Sequence, residues 1–247
     1  MISGLWDSLL DLLFPPLPEC PFCGAHGSGV EVCRACHAVV DGYRLEAHCR
    51  ICGRLPEKAV PVTSGGFYLC GECQRHGWPF VAARAPGPYE GVLKKAIHRF
   101  KYGGSRRLAA PLASLMAELL LSDALYADID LVVPVPLSGN KLRQRGFNQA
   151  ALLAKEIGVR LKIPVNGRAL AKIMDTPSQT GLSRAAREIN LINAFHVTDA
   201  RYLQGKNILI VDDVFTTGST MSSAAAAVKQ AGAGQVFVIT AATGRYS

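Results

Sequence analysis

The sequence predicts an α/β protein, a mainly parallel sheet with flanking helices, preceded by a small module built on cysteine. Three observations lead there. All 8 cysteines fall between Cys20 and Cys73, each in a CxxC pair. From about residue 78 short apolar runs alternate with helical stretches, which is the pattern of βαβ units. One of those runs ends in two adjacent acids and a hydroxyl-rich loop that opens a helix, as at the ligand-binding end of an open α/β sheet. The 247 residues suffice for a buried core, and a content of 49% hydrophobic and 19% charged residues excludes disorder and fibrous repeats. A net charge of +8 favours an anionic partner such as phosphate-bearing metabolites or nucleic acid.

Residues 1–19 carry Leu5, Trp6, Leu9, Leu10, Leu12 and Leu13, spaced for a short amphipathic helix. Packing on the body of the protein is the first reading of that helix, and a peripheral membrane contact the second. The apolar stretch 5–17 is shorter than the roughly 20 residues of a bilayer span and contains Asp7 and Asp11, so no transmembrane helix is expected. It lacks a basic start and a small-residue cleavage pattern, which makes it a poor secretory signal and the expected location cytoplasmic.

Residues 20–77 hold the pairs Cys20/Cys23, Cys33/Cys36, Cys49/Cys52 and Cys70/Cys73. Four thiolates suit a tetrahedral zinc ion, so two CxxC pairs supply one complete set and the chain two. Cys23-Gly24 and Cys52-Gly53 continue into glycine, as a knuckle turn does when backbone amides point at sulfur. Disulfides are disfavoured in a reducing compartment, and a thioredoxin-like motif explains one CxxC but not four. Sequential pairing of the sets is the economical arrangement, and the sequence leaves an interleaved one open. His26, His37, His48 and His76 flank the pairs but are not needed as ligands. Structural zinc supplies folding free energy that so short a segment cannot draw from its own core.

Residues 78–247 form the body. Residues 91–100 and 108–121 read as helices separated by Gly103-Gly104, residues 129–135 as a buried strand and 148–157 as the helix after it. Residues 165–173 read as a further strand. The polar stretch 175–193, with Pro177 and Gly181 near its start, reads as a long mobile loop leading into a helix. An apolar strand over 207–211, an alanine-rich helix over 220–231 closed by Gly232, and a strand over 235–241 complete the chain.

Most of the chemistry lies in residues 207–220. The strand delivers Asp212 and Asp213 to its carboxyl end, and Thr216, Thr217, Gly218, Ser219 and Thr220 then open a helix. Free amides and hydroxyls at a helix N-terminus make a cradle for one phosphate, and Gly218 permits close backbone approach. Acids cannot face that phosphate without repulsion, so they should point at hydroxyls, a cation or both. A phosphorylated sugar meets all three demands. The plain alternative for the two acids, helix capping or turn formation, accounts for one carboxylate better than for a pair beside such a loop. The stretch is not a Walker loop, since it has no GKS or GKT and the acids precede the loop.

Residues 208–220 resemble the 13-residue phosphoribosyl pyrophosphate (PRPP) motif of type I phosphoribosyltransferases. With the four CxxC pairs, Lys101-Tyr102-Gly103, Val133-Pro134-Val135-Pro136 and Arg145-Gly146-Phe147-Asn148-Gln149, the chain from about Cys20 onward is similar to the ComF family of competence-associated proteins. That resemblance implies a type I phosphoribosyltransferase-like fold behind a double zinc ribbon. By position it implies that Asp212 and Asp213 hold the ribose hydroxyls, partly through Mg2+, and that residues 216–220 cradle the 5-phosphate. Val135, Pro136 and the residues after them fall where the superfamily contacts pyrophosphate, with Lys141, Arg143 and Arg145 supplying charge. Residues 176–187, with Gln179, Arg184 and Arg187, match the segment that closes over substrate in many relatives. The implied activity is transfer of phosphoribosyl from PRPP to an unnamed acceptor with release of pyrophosphate, in a setting of DNA uptake.

Two further classes stay open: a PRPP sensor without turnover, and a single-stranded-DNA-binding partner of the uptake machinery, such as of its helicase. Lys94, Lys95, Arg99, Lys101, Arg106 and Arg107 cluster, as a solvated face, a phosphate contact through Lys101 or a nucleic-acid track. Only Tyr89, Phe100 and Tyr102 interleave that cluster as stacking aromatics, so the nucleic-acid class ranks last.

Overall fold

The computed structural model describes residues 19–26, 31–63, 65–172 and 194–246. The expected helix within residues 1–19 and the expected loop over 175–193 lie outside them, apart from Glu19.

The first CxxC pair is a knuckle: the Gly24 amide, at φ +79°, donates to the Cys20 carbonyl at 2.9 Å. The second pair opens helix α1 (Arg34–Arg44), which buries Cys36 and Val40, one turn apart. Arg44 in its last turn donates to the Leu115 carbonyl at 3.0 Å and to Glu118 at 3.1 Å, tying the helix to the body. The second set of cysteines is carried by short strands β1 (His48–Cys49), β2 (Leu55–Pro56) and β3 (Phe67–Tyr68) and by helix α2 (Gly71–Arg75). Strand β1 pairs in parallel with β3.

The body follows as β4 (Ala82–Arg84), α3 (Gly91–Tyr102), α4 (Ala109–Ser122), β5 (Leu131–Pro134), α5 (Gly139–Arg145) and α6 (Gln149–Leu161). Then come β6 (Leu170–Lys172), β7 (Phe195–Val197), β8 (Ile208–Phe215), α7 (Ser219–Gln230), β9 (Val236–Thr243) and β10 (Arg245–Tyr246). The central sheet has the order β4-β9-β8-β5, and every pair in it is parallel. Its strands are apolar on both faces because both are covered. Leu209, Val211, Phe237 and Ile239 face α3, α4, α6 and the first ribbon. Ile208, Ile210, Val236 and Val238 face α7, the β6/β7 pair and the second ribbon. Both ribbons thus share buried clusters with the body.

The second ribbon also covers the edge of the sheet. The Ala83 amide donates to the Ile51 carbonyl at 2.7 Å, which satisfies a sheet edge that would otherwise be open to pairing. Strand β10 returns to pair with β2, and Arg245 on it holds Glu46 at 2.7 Å and Glu90 at 2.8 Å.

The strand expected over 165–173 is shorter and lies elsewhere. Among the described residues of that stretch, 170–172 form β6, which pairs antiparallel with β7 away from the central sheet. Val165 touches the sheet through a single bridge to Val132. A side-chain turn at Asn166, whose Oδ1 accepts from the Arg168 amide at 3.0 Å, deflects the chain between them. Strands β4 and β7 and helix α5 had no counterpart in the sequence reading.

Gly53 (φ +69°) belongs to the second knuckle, and a Cβ there would lie 2.3 Å from the Ala83 carbonyl oxygen, whereas a Cβ on Gly24 would meet nothing within 4 Å. Gly24→Ala therefore costs only the left-handed backbone penalty of about 1–2 kcal/mol. Gly53→Ala adds a collision worth about 1–3 kcal/mol more, and thermal melting of the two variants should rank them in that order.

Candidate functional site

Each cysteine set closes into one group, and the pairing is the sequential one. Cys20, Cys23, Cys33 and Cys36 bring their sulfurs within 4.8 Å of one another, as do Cys49, Cys52, Cys70 and Cys73. The Cys20–Cys36, Cys23–Cys33 and Cys52–Cys70 sulfurs are 3.9, 3.7 and 3.7 Å apart. A zinc–sulfur bond of about 2.3 Å makes a tetrahedron with edges near 3.8 Å, so these spacings fit the ion. Four thiols this close cannot all ionise without a cation. Hydrogen bonds from Cys52, Cys70 and Cys73 pull Cys49 far to the thiolate side. Burial and the Cys23 and Cys33 thiols push Cys36 up. No histidine belongs to either group among the described residues.

The two groups differ in their surroundings. Cys23 is exposed and Cys33 half-buried, whereas all four sulfurs of the second group are buried. Side-chain donors reach the second group: Arg54 Nε to Cys52 Sγ at 3.4 Å and Trp78 Nε1 to Cys73 Sγ at 3.1 Å. Arg54 also pairs with Glu72. One positive charge and an indole N–H at the sulfurs offset the excess negative charge of four thiolates on a divalent ion.

Strand β8 carries the acid pair. Asp213, 8% exposed, lies against the end of α3. There Lys101 Nζ lies 2.7 Å from one carboxylate oxygen and Arg145 4.0 Å from the other. Arg145 donates to Gln149 Oε1 at 3.2 Å and covers the Tyr102 ring at 5.3 Å, and its buried Nε has no hydrogen-bond partner among the described residues. Asp212 Oδ1 accepts from the Asp213 amide at 2.8 Å. Burial, then the charge of Asp213, raises its carboxyl to about 7 against the opposing pull of the Asp213 amide, Lys101 and Lys172.

After β8 the chain turns through residues 216–218 into α7. Thr216 and Thr217 are exposed, and Gly218 at φ +83° is the N-cap. Thr217 Oγ1 lies 2.8 Å from Ser219 Oγ and accepts from the Ser219 amide at 3.5 Å. Facing this loop across the strand end, Val135 donates to the Val211 carbonyl at 2.9 Å, and its own carbonyl accepts from Asn148 Nδ2 at 3.0 Å. Pro136 follows, and Ser138 caps α5. Arg143 sits on the exposed side of α5, bonded to Asn140. Arg184 lies outside the described residues. Lys101 and Arg145 are thus gathered on Asp213, and Arg143 is not.

A model of the double zinc ribbon domain matches residues 9–74, and a model of the phosphoribosyl transferase domain matches residues 142–246. The DNA utilization protein YhgH of Escherichia coli K12 is 32% identical over 205 residues, covering 77% of this chain and 87% of its own. The chain belongs to the ComF family. Competence protein F of Haemophilus influenzae is 30% identical over 174 residues (68% and 76% covered), and competence protein ComFC of Bacillus subtilis 26% over 219 residues (82% and 79%). Among solved structures, a glutamine PRPP amidotransferase from B. subtilis overlaps 62% of this chain and 28% of its own, at 19% identity and a TM-score of 0.38.

In this ComF-family chain the 145–149 stretch has a job at each residue, which its sequence alone did not disclose. Gly146 ends α5 at φ +74°. Phe147 packs against Phe100 with ring centroids 5.7 Å apart and planes tilted by 44°, under Arg106. Asn148 caps α6, and fully buried Gln149 bonds the Phe100 carbonyl at 3.3 Å. These contacts fix the end of α3, and with it Lys101, against Asp213. Trp78 and Lys172 are the other residues of the site that sequence reasoning passed over, and neither carries a motif.

The Asp212 shift has a definite sign in stability. Between the ordinary value of 3.8 and about 7, the folded chain holds a proton that the unfolded chain has released. The contribution is present at acid pH and is lost as pH rises through 7. Asp212→Asn should therefore melt above wild type at pH 8, with the gap narrowing steadily as pH falls from 7 to 4.

Proposed function

We propose that the chain binds PRPP with Mg2+ at the carboxyl end of β8 and transfers its phosphoribosyl group to an acceptor, releasing pyrophosphate. The observation that supports this most is the junction of two acids, on one strand end, with a hydroxyl loop and the opening amides of α7. Those amides have no acceptor within the helix, and the helix dipole favours negative charge there, which suits the 5-phosphate at residues 216–220. In this reading Asp212 and Asp213 accept hydrogen bonds from the ribose hydroxyls. The backbone at Val135 and Pro136 meets the diphosphate, with Lys101, Arg145 and Arg143 as the nearby charges. Arg145, with an orphaned buried Nε, is suited to take an anion in exchange for part of its hold on Asp213.

Mg2+, when bound, neutralises the diphosphate and stabilises it as a leaving group. The bond from the anomeric carbon to pyrophosphate breaks with its electron pair leaving on oxygen, and the acceptor's lone pair forms the new bond to that carbon. Positive charge develops on the sugar ring and negative charge on the leaving group, so the acids and the basic residues stabilise opposite ends of the transition state. No nucleophilic side chain is consumed. The abundance of cysteine thiols accords with a reducing, cytoplasmic setting.

A second reading, in which single-stranded DNA binds the same chain, is favoured by one observation: exposed Lys94, Lys95, Arg107 and Tyr102 lie on or just after α3, beside Lys101. Arg106 is not free for that purpose, since it donates to the Gly146 carbonyl at 3.0 Å. The names of the relatives point the same way.

Calorimetry with Mg2+ and PRPP tests the first reading. Asp212→Ala and Asp213→Ala should each weaken binding by about tenfold or more, the loss of a charged hydrogen-bond acceptor. Gly218→Val should abolish it, because a Cβ there meets Phe215 at 2.6 Å and Trp78 at 2.7 Å. Wild type and variants that bind indistinguishably would overturn the assignment. Tight, salt-resistant DNA binding unaffected by PRPP would promote the second reading.

A further inference from the structure

One residue touches both the second cysteine group and the hydroxyl loop. Trp78 donates its indole N–H to Cys73 Sγ at 3.1 Å. At the far end of the same rigid ring, Cη2 and Cζ3 lie 2.7 and 2.8 Å from where a Cβ of Gly218 would be. The ring is held in place between those ends: it stacks on Phe80 at 5.2 Å and 25°, and meets Phe215, the last residue of β8, at 6.2 Å and 62°. An indole does not compress, and its two side-chain torsions are fixed by this packing. The height of the Gly218 backbone is therefore set from below by Trp78, and the seat of Trp78 is set by the direction of Cys73 Sγ. That direction is fixed when four sulfurs close on one ion.

We propose that Trp78 is a positioning residue that couples metal occupancy of the Cys49, Cys52, Cys70 and Cys73 group to anion affinity at residues 216–220. The second ribbon is then part of the binding site as well as a staple for its own segment. The inference rests on the reading of that loop as a phosphate cradle. The first group has no such link: among the described residues the donors to Cys20 Sγ besides thiols are backbone amides, that of Cys33 at 3.4 Å and those of Phe22 and Cys23.

Coupling of this kind is reciprocal, so ligand at the loop must tighten the metal as much as the metal tightens the ligand. The experiment is a titration of the zinc-loaded protein with a zinc-selective chelator, with and without saturating PRPP and Mg2+. The chains are wild type, Trp78→Phe, which keeps a ring but loses the N–H, and Cys23→Ser, which disables the first group alone. In wild type, PRPP should raise the zinc affinity of one site by about fivefold or more and leave the other unmoved. The shift should persist in Cys23→Ser. Trp78→Phe should retain both ions, lose the shift, and bind PRPP correspondingly more weakly.

A tryptophan with a merely structural role would not produce site-selective linkage. Wild-type protein that binds PRPP with unmoved zinc affinities overturns the coupling and leaves the PRPP reading intact, as does a Trp78→Phe protein that keeps the full shift. Wild-type protein that binds no PRPP overturns both. The wild-type measurement decides by itself if Trp78→Phe does not fold.

Discussion

Two carboxylates stand side by side at the end of a buried strand, and much of the structure follows from where their charge can go. Asp213 is nearly enclosed and is met by Lys101 and Arg145. A buried carboxylate without such partners would be costly by several kcal/mol. Holding those two cations in register demands a fixed end to α3 and α5, which Phe147, Asn148 and Gln149 supply. For Asp212, burial and then the charge of Asp213 push the carboxyl up to about 7. One acid is thus compensated within the chain, and the other is left for whatever arrives at the strand end.

The ribbons solve a different problem. Segments of this size have little core of their own, and each leans on the body: the first on α3 and α4 through Phe22, Cys36 and Val40, the second on the edge of β4 and on β10. The asymmetry between the groups follows from that docking. The first stays near solvent and takes its donors from backbone, while the second is buried and needs Arg54 and Trp78 to spread its charge. Burial of the second group is also what brings Trp78 against Gly218.

Much of this was legible in the sequence, for identifiable reasons. Cysteine spacing announced two metal groups because thiolate ligation requires those residues at those intervals, and the apolar run with its acids and hydroxyls announced β8 and α7. The α3, α4 and α6 periodicities were equally plain. What escaped was set by tertiary contact. Strand β4 is three residues long and exists because β9 and the second knuckle pair with it. The 165–173 stretch has the composition of one strand but is broken by an Asn166 turn. Lys101 and Arg145 read as charges for a phosphate, and in the folded chain they meet Asp213, a pairing that joins residues far apart in sequence. Trp78 carries no motif, since its importance lies in what it touches at each end.

The central claim is that the end of β8 and the opening of α7 receive a sugar phosphate. Hydrogen exchange of the zinc-loaded protein, with and without PRPP and Mg2+, tests it most directly, because the amides that would bind phosphate are those whose exchange is read. The account predicts that ligand slows exchange most strongly over residues 216–221, with a second zone at residues 135–138. Protection confined to the basic face of α3, or no change at residues 216–221 under conditions where PRPP is bound, would contradict it.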